Sequence, residues 1–298
     1  MHPTDPAHPV DPVSPVSSVG SVLLATFELV PRGEDGGELL RRAFADVGIE
    51  AQWAVWTDPV VDWSSADTVV VRSTWDYHRR LPEFLAWVDR VAATTRLVNA
   101  PEVLRWNADK RYLLDLADAV PVVPTIDVPA DGLLTGLTAA LAEHGAVVVK
   151  PRVGASGVGV VVAERTDDLR LSGLTAGPWL VQPLVASVRT EGEASVFVFA
   201  GRAVSQLRKV APPADVRVHE EYGGTTTPVA LDADAAALAE RAVAAAGERC
   251  GASPAYARVD LLHHGGRLVV SEVELIEPGL YLDLLPGNAG AFAAGLRT

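Results

Sequence analysis

Short apolar runs alternate along the chain with segments of helical apolar spacing, beginning at residue 21. This alternation is typical of α/β domains, in which strands and helices follow one another. In the first 120 residues it predicts strands over 21–27, 49–56, 67–71 and 96–98, and helices over 37–47, 81–93 and 101–119. We therefore expect a largely parallel sheet covered by helices in this part of the chain.

The segment VPVVP at residues 120–124 cannot continue a helix, because proline lacks a backbone N–H, and it indicates a boundary between two units. Beyond it the pattern predicts helices over 133–144 and 233–246, strands over 146–150, 159–163 and 195–199, and a hairpin over 256–275. The predicted fold class is α/β. We expect three α/β units, over residues 21–120, 121–190 and 191–298.

Residues 1–20 have a different character, with proline at positions 3, 6, 9, 12 and 15. A segment of this kind has neither the backbone donors nor the apolar bulk to join a core. We expect a disordered, proline-rich tail. The alternative is a polyproline ligand for a partner protein.

Composition narrows the classes of partner. The chain has 298 residues and a net charge of −13, a sign that repels phosphate backbones and anionic lipid. No apolar run approaches the roughly 18 residues of a membrane span, and Cys250 is the single cysteine. We therefore expect no nucleic acid partner, no membrane partner and a cytoplasmic location.

A lysine at the end of a buried strand is followed at once by a glycine-rich loop, in the sequence VVVKPRVGASGVGV of residues 147–160. Gly154 and Gly157, on either side of Ser156, let backbone N–H groups approach phosphate oxygens without obstruction by Cβ atoms. Lys150 supplies a positive charge beside them. The sequence predicts a phosphate-binding loop, although it matches neither the Walker nor the dinucleotide pattern. The alternative is a flexible β-hairpin with an incidental lysine.

Two glutamates lie two residues apart near the end of the predicted hairpin. In a strand, Glu272 and Glu274 point to the same face, and Asp260 on the partner strand joins them if the hairpin loop has odd length. Neighbouring carboxylates repel one another unless a cation lies between them, and oxygen ligands favour Mg²⁺ or Mn²⁺. The pattern predicts a divalent metal site. The alternative is a solvent-facing edge strand.

A cluster of polar residues, 72–77, ends the third predicted strand. Ligands of open α/β sheets bind beyond the carboxyl ends of the strands, so this cluster is a second candidate site. Arg72 is able to grip a carboxylate with two parallel hydrogen bonds, and Trp75 is able to form a pocket wall. The alternative for Trp75 is a core residue that covers the end of the sheet.

These motifs occur in a characteristic order: Lys110 within NADKRYL, Lys150 before the glycine loop, the Val181-Gln182-Pro183 segment, and the late acids in EVELIEP of residues 272–278. Taken alone, Lys110 is explained equally well by a solvated helix face. In this order and spacing, over residues 21–295, the chain resembles the ATP-grasp superfamily, which includes D-alanine:D-alanine ligase and glutathione synthetase. Within it the chain is similar to the cycloserine synthetase and glutathione synthetase-like branch.

The resemblance implies roles for particular residues. Lys110 and Lys150 would bind the α- and β-phosphates of ATP under the glycine loop. The segment 180–183, which contains Gln182, would present backbone groups to adenine, and Glu193 would reach the ribose or line the pocket. The metal ligands for two Mg²⁺ ions would be Asp260, Glu272 and Glu274, although D-alanine:D-alanine ligase has asparagine at the last position. The cations implied for the transferred phosphoryl group and the acyl-phosphate are Lys209, Arg217 and Arg258.

The implied fold is an N-terminal parallel-sheet domain with two α+β subdomains that clasp ATP, the first of them a lid and the second catalytic. The implied activity is an ATP- and Mg²⁺-dependent carboxylate–amine ligase that acts through an acyl-phosphate on a small amino acid or peptide-like substrate, in natural-product biosynthesis. Its partners would be small carboxylates and amines. The residues on the substrate side of the cavity would be Arg72, Trp75 and Glu277. A homodimer is compatible with the resemblance. Different residues after Arg72 argue against the intramolecular cyclisation of cycloserine synthetase. The alternatives are a regulatory ATP-binding protein without turnover and an ATP-dependent phosphotransferase.

Overall fold

The computed structural model describes residues 20–174, 177–213 and 215–296. The predicted tail over residues 1–20 lies outside these residues, except for Gly20, which begins the first strand. Three separate β-sheets organise the described part of the chain. No helix within it is both long enough and apolar enough to cross a membrane.

The first sheet is parallel, with its strands in the order β2-β1-β3-β4. Its strands are β1 (Gly20–Thr26), β2 (Ile49–Val55), β3 (Thr68–Ser73) and β4 (Arg96–Val98). Helices α1 (Gly37–Asp46) and α2 (Leu81–Ala92) connect them and bury apolar faces that include Leu40, Phe44, Phe84 and Trp87. The elements predicted from the apolar pattern in this region are therefore confirmed to within a few residues.

The predicted continuous helix over 101–119 is wrong, because the chain leaves the helix between α3 (Pro101–Asn107) and α4 (Tyr112–Leu116). The Asp109 carboxylate accepts a hydrogen bond from the backbone N–H of Arg111, at 2.9 Å, and pairs with the Arg152 guanidinium. The backbone N–H of Lys110 donates to the carbonyl of Arg152, at 2.8 Å. The interruption thus ties Lys110 to the chain just beyond Lys150.

The second sheet is antiparallel, in the order β5-β8-β6-β7. It consists of β5 (Ile126–Val128), β6 (Val147–Pro151), β7 (Val161–Ala163) and β8 (Trp179–Pro183). Helix α5 (Leu133–His144) packs Leu137 and Ala140 against it. The glycine-rich loop connects β6 to β7, so Lys150 lies near the end of a buried strand.

The third sheet is also antiparallel, in the order β11-β10-β9-β12-β13. It consists of β9 (Glu193–Phe199), β10 (Arg202–Val210), β11 (Thr225–Val229), β12 (Tyr256–His264) and β13 (Arg267–Glu274), with helices α6 (Ser187–Thr190), α7 (Ala233–Cys250) and α8 (Gly287–Gly295) around it. The expectation of a largely parallel sheet therefore holds for the first sheet alone among the three described. Hairpins join β9 to β10 and β12 to β13, and strands joined by tight turns must run antiparallel.

The first and third sheets share one apolar core, in which Leu24 and Phe44 lie with Phe197, Tyr256 and Phe292. Polar contacts reinforce this junction. The Asn99 side-chain amide donates to the carbonyls of Tyr256 and Leu275, and its oxygen accepts from the N–H of Ala255. The carboxyl edge of the parallel sheet is thereby held against β12 and the residues that follow β13.

Candidate active site

A cavity of about 520 Å³ is lined by residues from all three sheets and their loops. Apart from Arg72, every candidate residue named from the sequence lines it. They are Trp75, Lys110, Lys150, Gly154, Ser156, Gly157, Gln182, Glu193, Lys209, Arg217, Arg258, Asp260, Glu272, Glu274 and Glu277. Segments far apart in sequence thus converge on one chemical environment.

Two lysines lie in this cavity in different electrostatic situations. Burial lowers the pKa of Lys150 to about 8, because no carboxylate of the described residues pairs directly with its ammonium to offset the loss of water. Burial also opposes the charge on Lys110, but Lys110 donates a hydrogen bond to Glu272 Oε1, and this carboxylate raises its pKa. Of these two lysines, Lys150 is therefore the one available to pair with an anionic group of a ligand.

The glycine loop is packed against the segment that precedes β11. The Tyr222 hydroxyl donates to the carbonyl of Ser156, at 3.1 Å, and the Arg217 guanidinium stacks 3.7 Å from the centre of the Tyr222 ring. Gly157 has a φ of +65°, and a Cβ atom there would lie 3.1 Å from Arg217 Cδ. Glycine at this position therefore serves both the backbone turn and the close approach of Arg217.

The acids of the β12–β13 hairpin form ion pairs with cations of the chain. The turn between β12 and β13 has an even length of two residues, because His264 pairs with Arg267. A shift of register between Asp260 and Leu261 brings Asp260 opposite Glu272 and Arg258 opposite Glu274, so the acids share a face through this irregularity and not through an odd-length loop. Arg258 Nε donates to Asp260 Oδ1 at 3.0 Å, and the same guanidinium pairs with Glu274. Although burial would raise the pKa of Asp260, Arg258 and Lys209 lower it well below its usual range.

Lys209 is buried and Glu193 is partly buried, on neighbouring strands of the same wall. Lys209 Nζ lies 4.0 Å from Asp260 Oδ1 and 5.0 Å from the centre of the Tyr281 ring, and it makes no hydrogen bond within the described part of the chain. Burial and the nearby Asp260 charge raise the pKa of Glu193 to about 8. This wall therefore carries a buried cation with unused hydrogen-bond donors.

The expectation that Arg72 grips a substrate carboxylate is wrong. Its side chain has 0% exposure, and Nη2 donates to Glu34 Oε1 at 2.6 Å and to the carbonyl of Pro278 at 2.7 Å. The guanidinium also lies over the rings of Tyr256 and Phe292. Arg72 therefore holds the segment after β13 in place from outside the cavity.

Trp75 and Glu277 do face the cavity. Trp75 is half-buried, and its indole N–H donates to the carbonyl of Glu277 at 3.2 Å, so it lies at the cavity wall and not in the interior of the sheet. Glu277 is 9% exposed, and burial and the Glu274 charge raise its pKa to about 8. No other described residue donates a hydrogen bond to its carboxylate.

Comparison with known proteins supplies the family. Residues 22–99 match the family described as D-cycloserine synthetase DcsG, N-terminal domain, and residues 137–281 match the RimK-like ATP-grasp domain. The cycloserine biosynthesis protein DcsG of Streptomyces lavendulae is 35% identical over 274 residues, which cover 86% of this chain and 91% of that protein.

The chain belongs to the DcsG family of ATP-grasp ligases. The crystal structure of D-cycloserine synthetase DcsG superimposes with a TM-score of 0.82 at 33% identity, covering 93% of this chain and 98% of that one. Glutathione synthetase of Synechocystis is 26% identical over 144 residues, covering 46% of this chain and 43% of that protein. D-alanyl-alanine synthetase A of Vibrio cholerae shares the fold, with a TM-score of 0.62 at 15% identity, covering 95% of this chain and 97% of that one. The ATP-grasp fold and the C–N bond-forming ligase class expected from the sequence are confirmed.

The donors of this ATP-grasp cavity suit a hard divalent ion, since Asp260, Glu272 and Glu274 all offer carboxylate oxygens. Within residues 20–174, 177–213 and 215–296, however, no three acidic, histidine or cysteine side chains converge as a metal-binding group. Each of the three acids is paired with Arg258 or Lys110 instead. The residues fit Mg²⁺ by donor chemistry, and a metal would compete with these two cations for the carboxylates.

Glu34 and His219 are among the residues of the ATP-grasp cavity that sequence reasoning missed. Glu34 lies in the loop after β1, at the carboxyl edge of the parallel sheet, so the rule that singled out residues 72–77 also applies to it. His219 belongs to the irregular segment before β11. Burial lowers its pKa to about 4, and nothing in the local pattern around it indicates a site.

Proposed function

We propose that this DcsG-family chain is an ATP- and Mg²⁺-dependent carboxylate–amine ligase. Its substrate would be a small amino acid or a peptide-like molecule, activated as an acyl-phosphate, in natural-product biosynthesis. The observation that carries the proposal is the placement of Lys110 and Lys150 in one cavity with Asp260, Glu272 and Glu274. The similarity to the cycloserine biosynthesis protein DcsG supports it.

The nucleotide would bind between the second and third sheets. In the part of the chain that the structure describes, Lys150 has no direct carboxylate partner and Lys110 pairs with Glu272 alone, so both would neutralise phosphate charge. Gly154 and Gly157 would let the loop approach the triphosphate closely. The side-chain amide of Gln182 donates a hydrogen bond to the Thr125 hydroxyl, at 2.8 Å. Because its side chain is engaged in this way, the backbone around Gln182 would make the contact with adenine.

Asp260, Glu272 and Glu274 would hold Mg²⁺. The bound metal would neutralise the negative charge that develops on the transferred phosphoryl group. Arg258 contacts both Asp260 and Glu274, so its guanidinium is already oriented beside the reacting groups. Lys209, with its unused donors, would stabilise the acyl-phosphate from the neighbouring strand. The substrate carboxylate would attack the γ-phosphoryl group of ATP and release ADP, and an amine would then displace inorganic phosphate from the acyl-phosphate and lose a proton to give the amide.

The acyl-phosphate must be protected from water, since hydrolysis would release its energy without forming a bond. The glycine loop is suited to this role because Tyr222 and Arg217 pack against it from across the cavity. Arg217 is itself oriented by Asp215, whose carboxylate accepts from its Nε at 3.0 Å. This contact would close the cavity over the nucleotide.

The test is an ADP-release screen against amino acids and dipeptides, with mass spectrometry of the products. The proposal expects ADP release that requires Mg²⁺ and a product lighter by one water than the sum of its two substrates. A product that is lighter than a single substrate molecule would instead show intramolecular cyclisation. A phosphorylated product would assign the chain to the phosphotransferases. If the protein binds ATP but releases ADP with no member of the panel, the ligase proposal fails and the chain is a regulatory ATP-binding protein.

A further inference from the structure

The two lysines assigned to the phosphates come from different units of the fold. Lys110 lies in the interruption between α3 and α4, and Lys150 lies in β6 of the second sheet. Burial is the main cause of the lowered pKa of Lys150, and the positive charge of Lys110 acts in the same direction. The two ammonium groups are thus close enough to repel one another, so contacts elsewhere must hold their segments together.

One ion pair joins the two segments directly beside these lysines. Asp109 precedes Lys110, and Arg152 follows Lys150 by two residues. Arg152 Nε donates to Asp109 Oδ1 at 2.9 Å, and Nη2 of the same guanidinium donates to the second carboxylate oxygen, so the contact is bidentate. The backbone N–H of Lys110 also donates to the carbonyl of Arg152, at 2.8 Å. These hydrogen bonds fix the position of one segment relative to the other.

Each partner of the ion pair is also held on its own side. The Asp109 carboxylate accepts from the backbone N–H of Arg111, at the start of α4. Arg152 Nη1 donates to Asp127 Oδ1 at 3.2 Å, and Asp127 belongs to β5, in the same sheet as Lys150. The Arg152 side chain is 20% exposed and that of Asp109 is 37% exposed, so water screens the pair only in part. The pair is therefore an ordered link between the two units.

The link acts on the cavity only indirectly. Asp109 and Arg152 lie outside the lining of the cavity that the described residues form, whereas Lys110 and Lys150 belong to that lining. A bound nucleotide would therefore contact the two lysines and not the ion pair.

We propose that Asp109 and Arg152 are positioning residues, whose ion pair sets the separation of Lys110 and Lys150 to suit adjacent phosphates of one nucleotide. The inference rests on the nucleotide site of the function proposed above and identifies the contact that aligns its two lysines. The effect is confined to the phosphates, so the binding of adenosine does not depend on the pair.

Asp109→Asn removes the charge of the carboxylate and keeps an oxygen for the N–H of Arg111. Adenosine and ADP are titrated by calorimetry, with Mg²⁺, into the full-length wild type and variant. We expect ADP to bind about fivefold more weakly to the variant, as for the loss of one partly exposed ion pair, and adenosine to bind equally to both. A long-range charge effect has the opposite sign, because the loss of a negative charge would strengthen the binding of an anion. Unchanged or tighter binding of ADP, or equal weakening of adenosine, overturns the proposal.

Asp168→Asn is the matched control. Asp168 also accepts from the backbone N–H of the residue two positions ahead, Arg170, and pairs with its side chain, but it does so within a single unit. This variant should bind ADP as the wild type does, and circular dichroism establishes that both variants are folded. Weakening of ADP in Asp168→Asn to the same extent as in Asp109→Asn overturns the proposal.

Variants of Arg152 test the same link from its other side. Arg152→Lys keeps the positive charge and loses the two-pronged contact, so it too should weaken the binding of ADP and not of adenosine. Arg152→Gln and the double variant with Asp109→Asn complete a double-mutant cycle. We expect the double variant to lose less ADP affinity than the product of the two single losses, because either change alone breaks the link. Additive losses, or an unchanged affinity in Arg152→Lys, overturn the proposal.

Comparison with the ADP-release screen separates this inference from the proposed function. If the wild type prefers ADP to adenosine and Asp109→Asn keeps that preference, the inference fails and the proposed function is unaffected. If the preference depends on Asp109 but no substrate of the panel releases ADP, the ligase proposal fails and the inference stands. A wild type that binds ADP no more tightly than adenosine overturns both.

Discussion

Arg72 Nη2 lies 2.6 Å from Glu34 Oε1, and neither side chain reaches solvent to a significant extent. Each partner also holds the segment that follows β13. Arg72 donates to the carbonyl of Pro278, and Glu34 Oε2 accepts from the N–H of Leu280 at 2.6 Å. The pair therefore positions the short segment that bears Glu277 and Tyr281 against the parallel sheet.

Removing one charge of this pair should destabilise the protein strongly. Glu34→Gln leaves the buried Arg72 guanidinium without a counter-charge, and we expect a loss of about 3 kcal/mol in the free energy of unfolding, measured by urea denaturation. Glu38→Gln breaks an exposed pair with Arg41 and should cost less than about 0.5 kcal/mol. Equal losses in the two variants would show that the buried pair is not structurally important.

The glycine loop should be sensitive to a single methyl group. Gly157→Ala introduces a Cβ atom at a φ of +65°, 3.1 Å from Arg217 Cδ. We expect a strain of about 1 kcal/mol in the closed loop and ATP binding about fivefold weaker by calorimetry. Gly173→Ala is the matched control, because a Cβ atom there meets nothing within 4 Å and the φ is not positive. An unchanged ATP affinity in Gly157→Ala would mean that the loop does not close over the nucleotide in this conformation.

Nucleotide affinity should depend on pH through Lys150. Burial disfavours the charged ammonium and lowers its pKa to about 8, so the charge is present below pH 8 and is lost above it. We expect the affinity for ATP to fall by up to about tenfold per pH unit above 8. Lys150→Arg keeps its charge over this range and should abolish that dependence. The same decline in both proteins would assign it to another group.

Glu272 should control the requirement for metal. Glu272→Gln removes a proposed oxygen ligand and the partner of Lys110, and we expect the Mg²⁺ concentration at half-maximal ADP release to rise about tenfold or more. Glu191→Gln removes an exposed acid that pairs with His263 and should leave the Mg²⁺ requirement as it is. If the two variants respond alike to Mg²⁺, the metal ligands lie elsewhere.

The apolar pattern was enough to predict the parallel sheet and the presence of the late hairpin, because both follow from local spacing. The pairing of Asp260 with Glu272 did not follow from this spacing, because the turn has even length and a shift of register between Asp260 and Leu261 produces the pairing. The helix interruption at Lys110 was not predictable in the same way, since it depends on Arg152, which is 43 residues beyond Asp109. Arg72 failed as a substrate ligand for a similar reason. Its partners, Glu34 and Pro278, are distant from Arg72 in the sequence and come into contact with it only when the chain folds.

The Arg72–Glu34 pair also limits how this enzyme can be recombined. A chimaera that exchanges residues 20–98 for those of another ATP-grasp protein would replace both charged partners while keeping the Pro278 and Leu280 backbone groups that they hold. Such a chimaera would retain its nucleotide lysines and hairpin acids and still misplace Glu277. The placement of Glu277, which lines the cavity, therefore depends on both ends of the chain, and this part of the cavity wall cannot be transferred to another protein as one contiguous segment.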